Sequence, residues 1–218
     1  MRTGHVTSSY DIAIMSRELL LNHPAITNYT TVYIDTLRDG KSQLVNTNKL
    51  IRNYKGATGL KTGSTSIALY NLSASATRDD LSLIAVVMKA PTSDLRFQNA
   101  KKILDYGFQN FSYTKLANNG DVIDNINISK GVQNNVNAII NSDTGVLAQK
   151  GREGEIVQNI QLEKNISAPV QKGQKLGTIE FKLNEKTVAT ADVVAQNSVE
   201  KQTFKSITSY VFKSWLTF

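Results

Sequence analysis

The 218-residue sequence has no cysteine, two histidines, three prolines and one tryptophan. Without cysteine there are no disulfides and no thiolate metal sites, although that absence fixes no compartment. His5 and His23 alone do not make a His-rich metal centre, and no metal or organic cofactor is implied. No apolar run approaches the roughly 18 residues of a transmembrane helix. No Lys/Arg run exceeds two residues and no nucleic-acid motif occurs, so a nucleic-acid partner is not expected. Met1-Arg2-Thr3-Gly4 also lacks the basic, apolar and small succession of a signal peptide.

What is present suits a globular protein of one or two domains, with 40% hydrophobic residues and a net charge of +7. The charge is uneven. Residues 1–112 hold 13 Lys+Arg against 8 Asp+Glu, residues 113–198 hold 9 of each, and residues 199–218 hold 3 against 1. Most of it reads as a mildly basic surface.

Ser8 and Ser9 ahead of Ile12, Met15, Leu19 and Leu20 predict a capped helix with one apolar stripe, stopped by Pro24. Thr31 to Ile34 reads as a strand, with a tight turn at Asp39-Gly40. The asparagines of Asn46-Thr47-Asn48 are divided evenly between loop solvation and a supporting role. The stretches 59–65, 69–77 and 81–88 predict an antiparallel meander. A covering helix follows, capped by Ser93, carrying Phe97, Ala100, Ile103 and Leu104 on one side, and ended by Gly107.

The first of those strands holds Gly59-Leu60-Lys61-Thr62-Gly63-Ser64-Thr65. Lys61 offers a cation, Thr62 a hydroxyl, and Gly63 an unobstructed backbone, which together suit a ligand carboxylate or a peptide lying along the strand. A Lys-Thr-Gly triplet is also a signature of serine enzymes that react with penicillin. The surrounding run extends through Tyr70-Asn71-Leu72-Ser73-Ala74-Ser75-Ala76-Thr77, Arg96-Phe97 and Leu104-Asp105-Tyr106-Gly107-Phe108. With it, the chain resembles the D-alanyl-D-alanine carboxypeptidases, the low-molecular-mass penicillin-binding proteins, from about Gly4 to the C-terminus.

The resemblance implies an α+β fold, the C-terminal half of a penicillin-binding-protein/β-lactamase-like domain. It implies a substrate, a peptidoglycan stem peptide ending in D-Ala-D-Ala, with β-lactams as mimics of that end in the complete protein. It implies substrate-binding roles for Lys61, Thr62, Gly63 and Ser64, and carboxylate recognition by Arg96. It also implies an acyl-enzyme formed by the Ser of a Ser-x-x-Lys motif, supported by Ser-x-Asn. Both motifs precede Lys-Thr-Gly in the family. Here Ser-x-Asn is absent, and Ser-x-x-Lys occurs only at Ser112–Lys115 and Ser198–Lys201, after Lys61 and, for Ser198, at the expected start of a tail helix. Both read as coincidences, so the catalytic Ser and Lys are expected to be absent from this chain, which is then inert as it stands. Gly4-His5-Val6-Thr7-Ser8-Ser9-Tyr10-Asp11 resembles the family segment after the second motif, so a chain beginning in mid-domain is expected. Ala68-Leu69-Tyr70 departs from the family's usual Ala-Gly before Tyr.

From Tyr113 the composition shifts to short alternating segments punctuated by glycine, which predicts a small all-β domain over 113–198. Ala168-Pro169-Val170-Gln171-Lys172-Gly173 resembles the family's second domain. In residues 199–218, Phe204, Ile207, Val211, Trp215 and Phe218 follow helical spacing opposite Lys205 and Lys213. Such a helix suits a membrane interface, and the resemblance places it on the outer face of the bacterial cytoplasmic membrane. Two other readings stand beside this one. A β-lactamase shares the triplet but not the β-rich domain or the tail. A non-enzymatic envelope module would use the β-domain to bind a partner.

Overall fold

The computed structural model describes residues 6–204 and Thr208. The chain divides into two compact units, Met1–Ser112 and Tyr113–Phe218.

The first unit opens with α1 (Ser9–Asn22). Its start is a capping box: the Ser8 hydroxyl accepts from Asp11 N at 3.2 Å, and the Asp11 carboxylate accepts from Ser8 N at 2.9 Å. The Ser8 hydroxyl also donates to the Asp11 carboxylate at 2.8 Å, and that bond, with the one from Ser8 N, holds the Asp11 carboxyl below its ordinary range. A turn at Pro24–Ile26 leads into α2 (Thr27–Thr30), then β1 (Ile34–Leu37) and β2 (Ser42–Val45), an antiparallel hairpin. The strand expected at Thr31–Ile34 therefore begins only at Ile34. Thr31 instead caps α2, where its amide and hydroxyl both donate to Thr27 O. After α3 (Leu50–Asn53) come β3 (Ala57–Thr65), β4 (Leu69–Arg78) and β5 (Leu81–Ala90), then α4 (Ser93–Asn110). The three strands form the expected antiparallel meander, in the order β3-β4-β5.

Alternation along β4 sorts the two sheet faces. Leu72, Ala74 and Ala76 join Ala85, Val87, Phe97, Ala100, Leu104 and Phe108 in one core under α4. The intervening Ser73 faces α1, where its hydroxyl and that of the buried Ser16 lie 2.7 Å apart. The helix stripes differ from the expected ones. In α1, Ser16 is buried while Met15 is exposed, and Tyr10, Ile14 and Leu21 form a second, outward apolar stripe. In α4, Ile103 is exposed, and Arg96 and Phe108 take buried places. The cap of α4 is Thr92, whose hydroxyl accepts from Leu95 N, and not Ser93. Gly107 does not end the helix, which continues to Asn110. A Cβ there would come within 2.5 Å of Leu83 Cδ1, so this glycine serves close helix-on-sheet packing.

The second unit is, over its described residues, built mainly of β-strands, with one 3-10 turn at Glu153–Glu155. It contains β6 (Phe111–Ala117, which starts at the boundary), β7 (Val122–Ser129), β8 (Asn135–Ile140), β9 (Thr144–Gln149), β10 (Val157–Leu162), β11 (Ile166–Ser167), β12 (Lys175–Leu183) and β13 (Lys186–Ala195). Six strands form one sheet in the order β10-β12-β13-β8-β7-β11, and β6 pairs with β9. Strict alternation buries Val136, Ala138 and Ile140 of β8. With Leu176, Ile179, Phe181 and Val193 they make the second core. Val199 bridges Val170 and Lys201 bridges Gly131, so residues 199–201 continue the β unit.

Candidate functional site

Lys61, Thr62, Gly63 and Ser64 lie on β3, which is bonded to β4 along one edge. Among the described residues no strand pairs with its other edge. The start of β3 is held by a polar network. Asn46 Nδ2 donates to Thr30 O and Val32 O, and Asn46 Oδ1 accepts from Asn48 N. Asn48 Nδ2 then donates to Gly59 O at 2.9 Å, while its Oδ1 accepts from Leu50 N at 3.2 Å. The Thr30 hydroxyl donates to Thr58 O. These asparagines are supports and not solvated loop residues, and no apolar periodicity marks them.

Beyond that anchor Lys61, Gly63 and Ser64 are exposed, while Thr62 is buried at 8% exposure. Lys61 Nζ donates to Thr62 O at 2.6 Å. The Thr62 hydroxyl lies 2.6 Å from that of Thr47. When Thr47 donates in that pair, the Thr62 proton is left for a ligand. A Cβ built on Gly63 meets nothing within 4 Å, so the space beside it is clear. Ser64 is exposed, in register with Tyr70.

Arg96 is placed behind this edge. It is 6% exposed, and its guanidinium donates to Asn71 O and Ser93 Oγ at 3.3 and 3.2 Å. It packs on the Phe97 and Tyr70 rings, 4.5 and 5.6 Å from their centroids. Its Nε is buried without a partner, and burial pushes its pKa down while Tyr70 pushes it up. Tyr70 and Asn71 are the register partners of Ser64 and Gly63, so the contacts Arg96 makes here reach the edge through β4.

Leu69 has a backbone reason for being unusual: its φ is +50°, a left-handed conformation in which glycine is the easier residue.

Neither Ser-x-x-Lys segment has catalytic geometry. Ser112 and Lys115 lie three apart on β6, which sends their side chains to opposite faces, and Lys115 Nζ pairs with Asp143 at 3.0 Å. Ser198 precedes a β-bridge and not a helix, and its hydroxyl accepts from Lys172 N. A shallow groove lined by Lys49, Asn53, Asp94, Phe97 and Lys101 receives no residue from the triplet. Of the tail residues, Phe204 is exposed, while Ile207, Val211, Trp215 and Phe218 lie outside the described residues.

Residues 1–92 match the family model described as D-alanyl-D-alanine carboxypeptidase, and residues 111–201 match that of the penicillin-binding protein 5 C-terminal domain. The D-alanyl-D-alanine carboxypeptidase DacF of Bacillus subtilis (strain 168) is 36% identical over 219 residues, covering 99% of this chain and 56% of that relative. DacA of Escherichia coli (strain K12) is 30% identical over 219 residues, with 97% and 54% covered. The crystal structure of penicillin binding protein 5 from Haemophilus influenzae superposes with a TM-score of 0.72 at 32% identity, over 89% of this chain and 57% of that one. The chain spans about half the length of the curated relatives it matches. On these matches, and with the meander, covering helix and β unit in place, the chain belongs to the D-alanyl-D-alanine carboxypeptidase family of low-molecular-mass penicillin-binding proteins.

Proposed function

We propose that β3 is the substrate edge of a serine-type D-Ala-D-Ala carboxypeptidase, a trimmer of peptidoglycan stem peptides. The observation that carries this reading is the unpaired edge of β3 at Lys61-Thr62-Gly63-Ser64, anchored at Gly59 and open beside Gly63. A stem peptide laid along it gains main-chain hydrogen bonds, as any added strand does. The Thr62 and Ser64 hydroxyls, which alternation places on one face of β3, supply donors for the terminal carboxylate, and Lys61, whose Nζ reaches back to Thr62 O, supplies charge beside them. β-Lactams occupy the same edge as mimics of that end. Arg96 acts indirectly, by holding Tyr70 and Asn71.

Hydrolysis further needs a serine nucleophile and a lysine base. The geometry at Ser112 and Ser198 provides neither, so in this reading both come from polypeptide outside these residues. The outward stripe of Tyr10, Ile14 and Leu21 on α1 is a surface suited to such a neighbour.

The test is titration of the chain with an N-acylated tripeptide ending in D-Ala-D-Ala, followed by NMR. Binding is expected to shift the amides of residues 61–65. Lys61→Ala is expected to weaken it by about tenfold to a hundredfold, the worth of one charge-assisted hydrogen bond. Equal affinity in the two proteins sinks the assignment.

For the tail, we propose that Phe204, Ile207, Val211, Trp215 and Phe218 form the apolar face of an interfacial helix on the outer face of the cytoplasmic membrane. The support is their spacing and the flanking Lys205 and Lys213. Sedimentation with anionic liposomes is expected to carry the chain down and to leave a chain lacking residues 202–218 in solution. Equal sedimentation removes the role.

A further inference from the structure

Asn71 is the register partner of Gly63, and its side chain has no part in the reading above. Its Nδ2 donates to Ala68 O at 3.0 Å and Leu69 O at 3.2 Å, and its Oδ1 accepts from Lys89 N at 2.8 Å. Its carbonyl accepts from Arg96 Nη1. Two of these partners lie at backbone corners. Leu69 has φ +50° where the β3–β4 turn ends, and Lys89 has φ +56° where the β4–β5 register shifts between Tyr70 and Leu72. Side chains disfavour both conformations. The Asn71 amide thus ties the turn that closes β3 to the bulge in β5. It uses two donors and one acceptor, a set that neither Asp nor Leu supplies.

We propose that Asn71 is a positioning residue that fixes the Gly63–Thr65 segment of the substrate edge by clamping these two left-handed corners. The proposal rests on the reading of β3 as that edge. The clamp matters because a ligand that borrows main-chain hydrogen bonds needs the strand carrying them to hold one position. A glycine at 69 would adopt the turn unaided, so the leucine present there makes the clamp necessary.

The test compares amide exchange in the full chain for the wild type, Asn71→Asp, Asn71→Ser and the pair Asn71→Asp with Leu69→Gly. Asn71→Asp keeps the shape and the acceptor and loses both donors, and Asn71→Ser is the milder variant should the first fail to fold. Exchange at Ala68 and at those amides of Gly63–Thr65 that bond to β4 is expected to rise about tenfold, while Ala74–Ala76 and Leu81–Ala85 keep their wild-type rates. Affinity for the D-Ala-D-Ala tripeptide is expected to fall about tenfold. With Leu69→Gly present, the same substitution is expected to change exchange less than about threefold, because the strained corner is gone. Uniform acceleration across β3, β4 and β5 would make Asn71 an ordinary stabilising residue and overturn the proposal, as would unchanged exchange at the β4-bonded amides of Gly63–Thr65. A wild-type chain that binds no peptide overturns the reading of the edge, and the exchange comparison then decides the positioning role by itself.

Discussion

Phe181→Ala is expected to lower the stability of the Tyr113–Phe218 unit by about 3–5 kcal/mol, the usual cost of emptying an aromatic site in a packed core. Phe181 is 1% exposed and is among the largest fully buried side chains described. It sits on β12, opposite Gln158 of β10 and Ala189 of β13. Its core neighbours include Ile140, Leu176, Ile179 and Val193. Three of those four are β-branched, with χ1 restricted, so they move little to fill a void. Against a typical domain stability of roughly 5–15 kcal/mol, the loss is a large fraction of the whole. Thermal denaturation of the full chain should show one transition lowered by roughly 15–25 °C, and Phe181→Leu should fall between the two. A loss below about 1 kcal/mol would mean that the site collapses freely and that the core is not packed around this ring.

The parts of the fold that were legible in the sequence are those in which local chemistry and tertiary structure agree. β8 reads as a strand because each second residue is apolar and goes inward, and β12 does so from Ile179 to Phe181, after a register shift between Lys175 and Gly177. Ser8 and Ser9 read as a helix start, and Ser8 is the cap because its partner Asp11 is local. The strand that carries Lys-Thr-Gly was legible because the triplet and the runs around it together resemble a family pattern, which the triplet alone does not establish.

The parts that were not legible depend on a partner distant in sequence. Ser16 looks like a polar interruption of α1 until Ser73, 57 residues away, supplies its hydrogen bond. Gly107 carries the signal of a helix stop, yet the need for it comes from Leu83 on the sheet beneath. Arg96 is given a carboxylate-binding role by the resemblance, and only the fold brings Tyr70, Phe97 and the Asn71 carbonyl around it. At two residues, β11 is too short to show any period, and its parallel pairing with β7 supplies the order. The supports of the candidate site, Asn48 and Asn71, fall in this second group. An amide is equally at home in a solvated loop and in a buried clamp.

Asn48 provides the sharper test of that point, because its two expected variants separate shape from hydrogen bonding. The residue is 1% exposed, and it pairs the Gly59 carbonyl with the Leu50 amide. Asn48→Ala leaves both groups buried without a partner. At about 1–3 kcal/mol for each, the unit should lose about 2–5 kcal/mol. Asn48→Asp keeps the size and the acceptor for Leu50 N, so a role in shape alone would make it nearly neutral. It instead places a carboxylate against the Gly59 carbonyl in a site that excludes water. At pH 7 it should therefore cost more than alanine does. Urea denaturation ranks the two, and the order Asp worse than Ala worse than wild type is the expected one. Near-equal stability of Asn48→Asp and wild type would return Asn48 to the solvated-loop reading. The consequence reaches Lys61, two residues beyond Gly59. If the Gly59 carbonyl is released, the anchored end of β3 is lost, and the Lys61–Ser64 edge should lose peptide affinity even though none of its own side chains has changed.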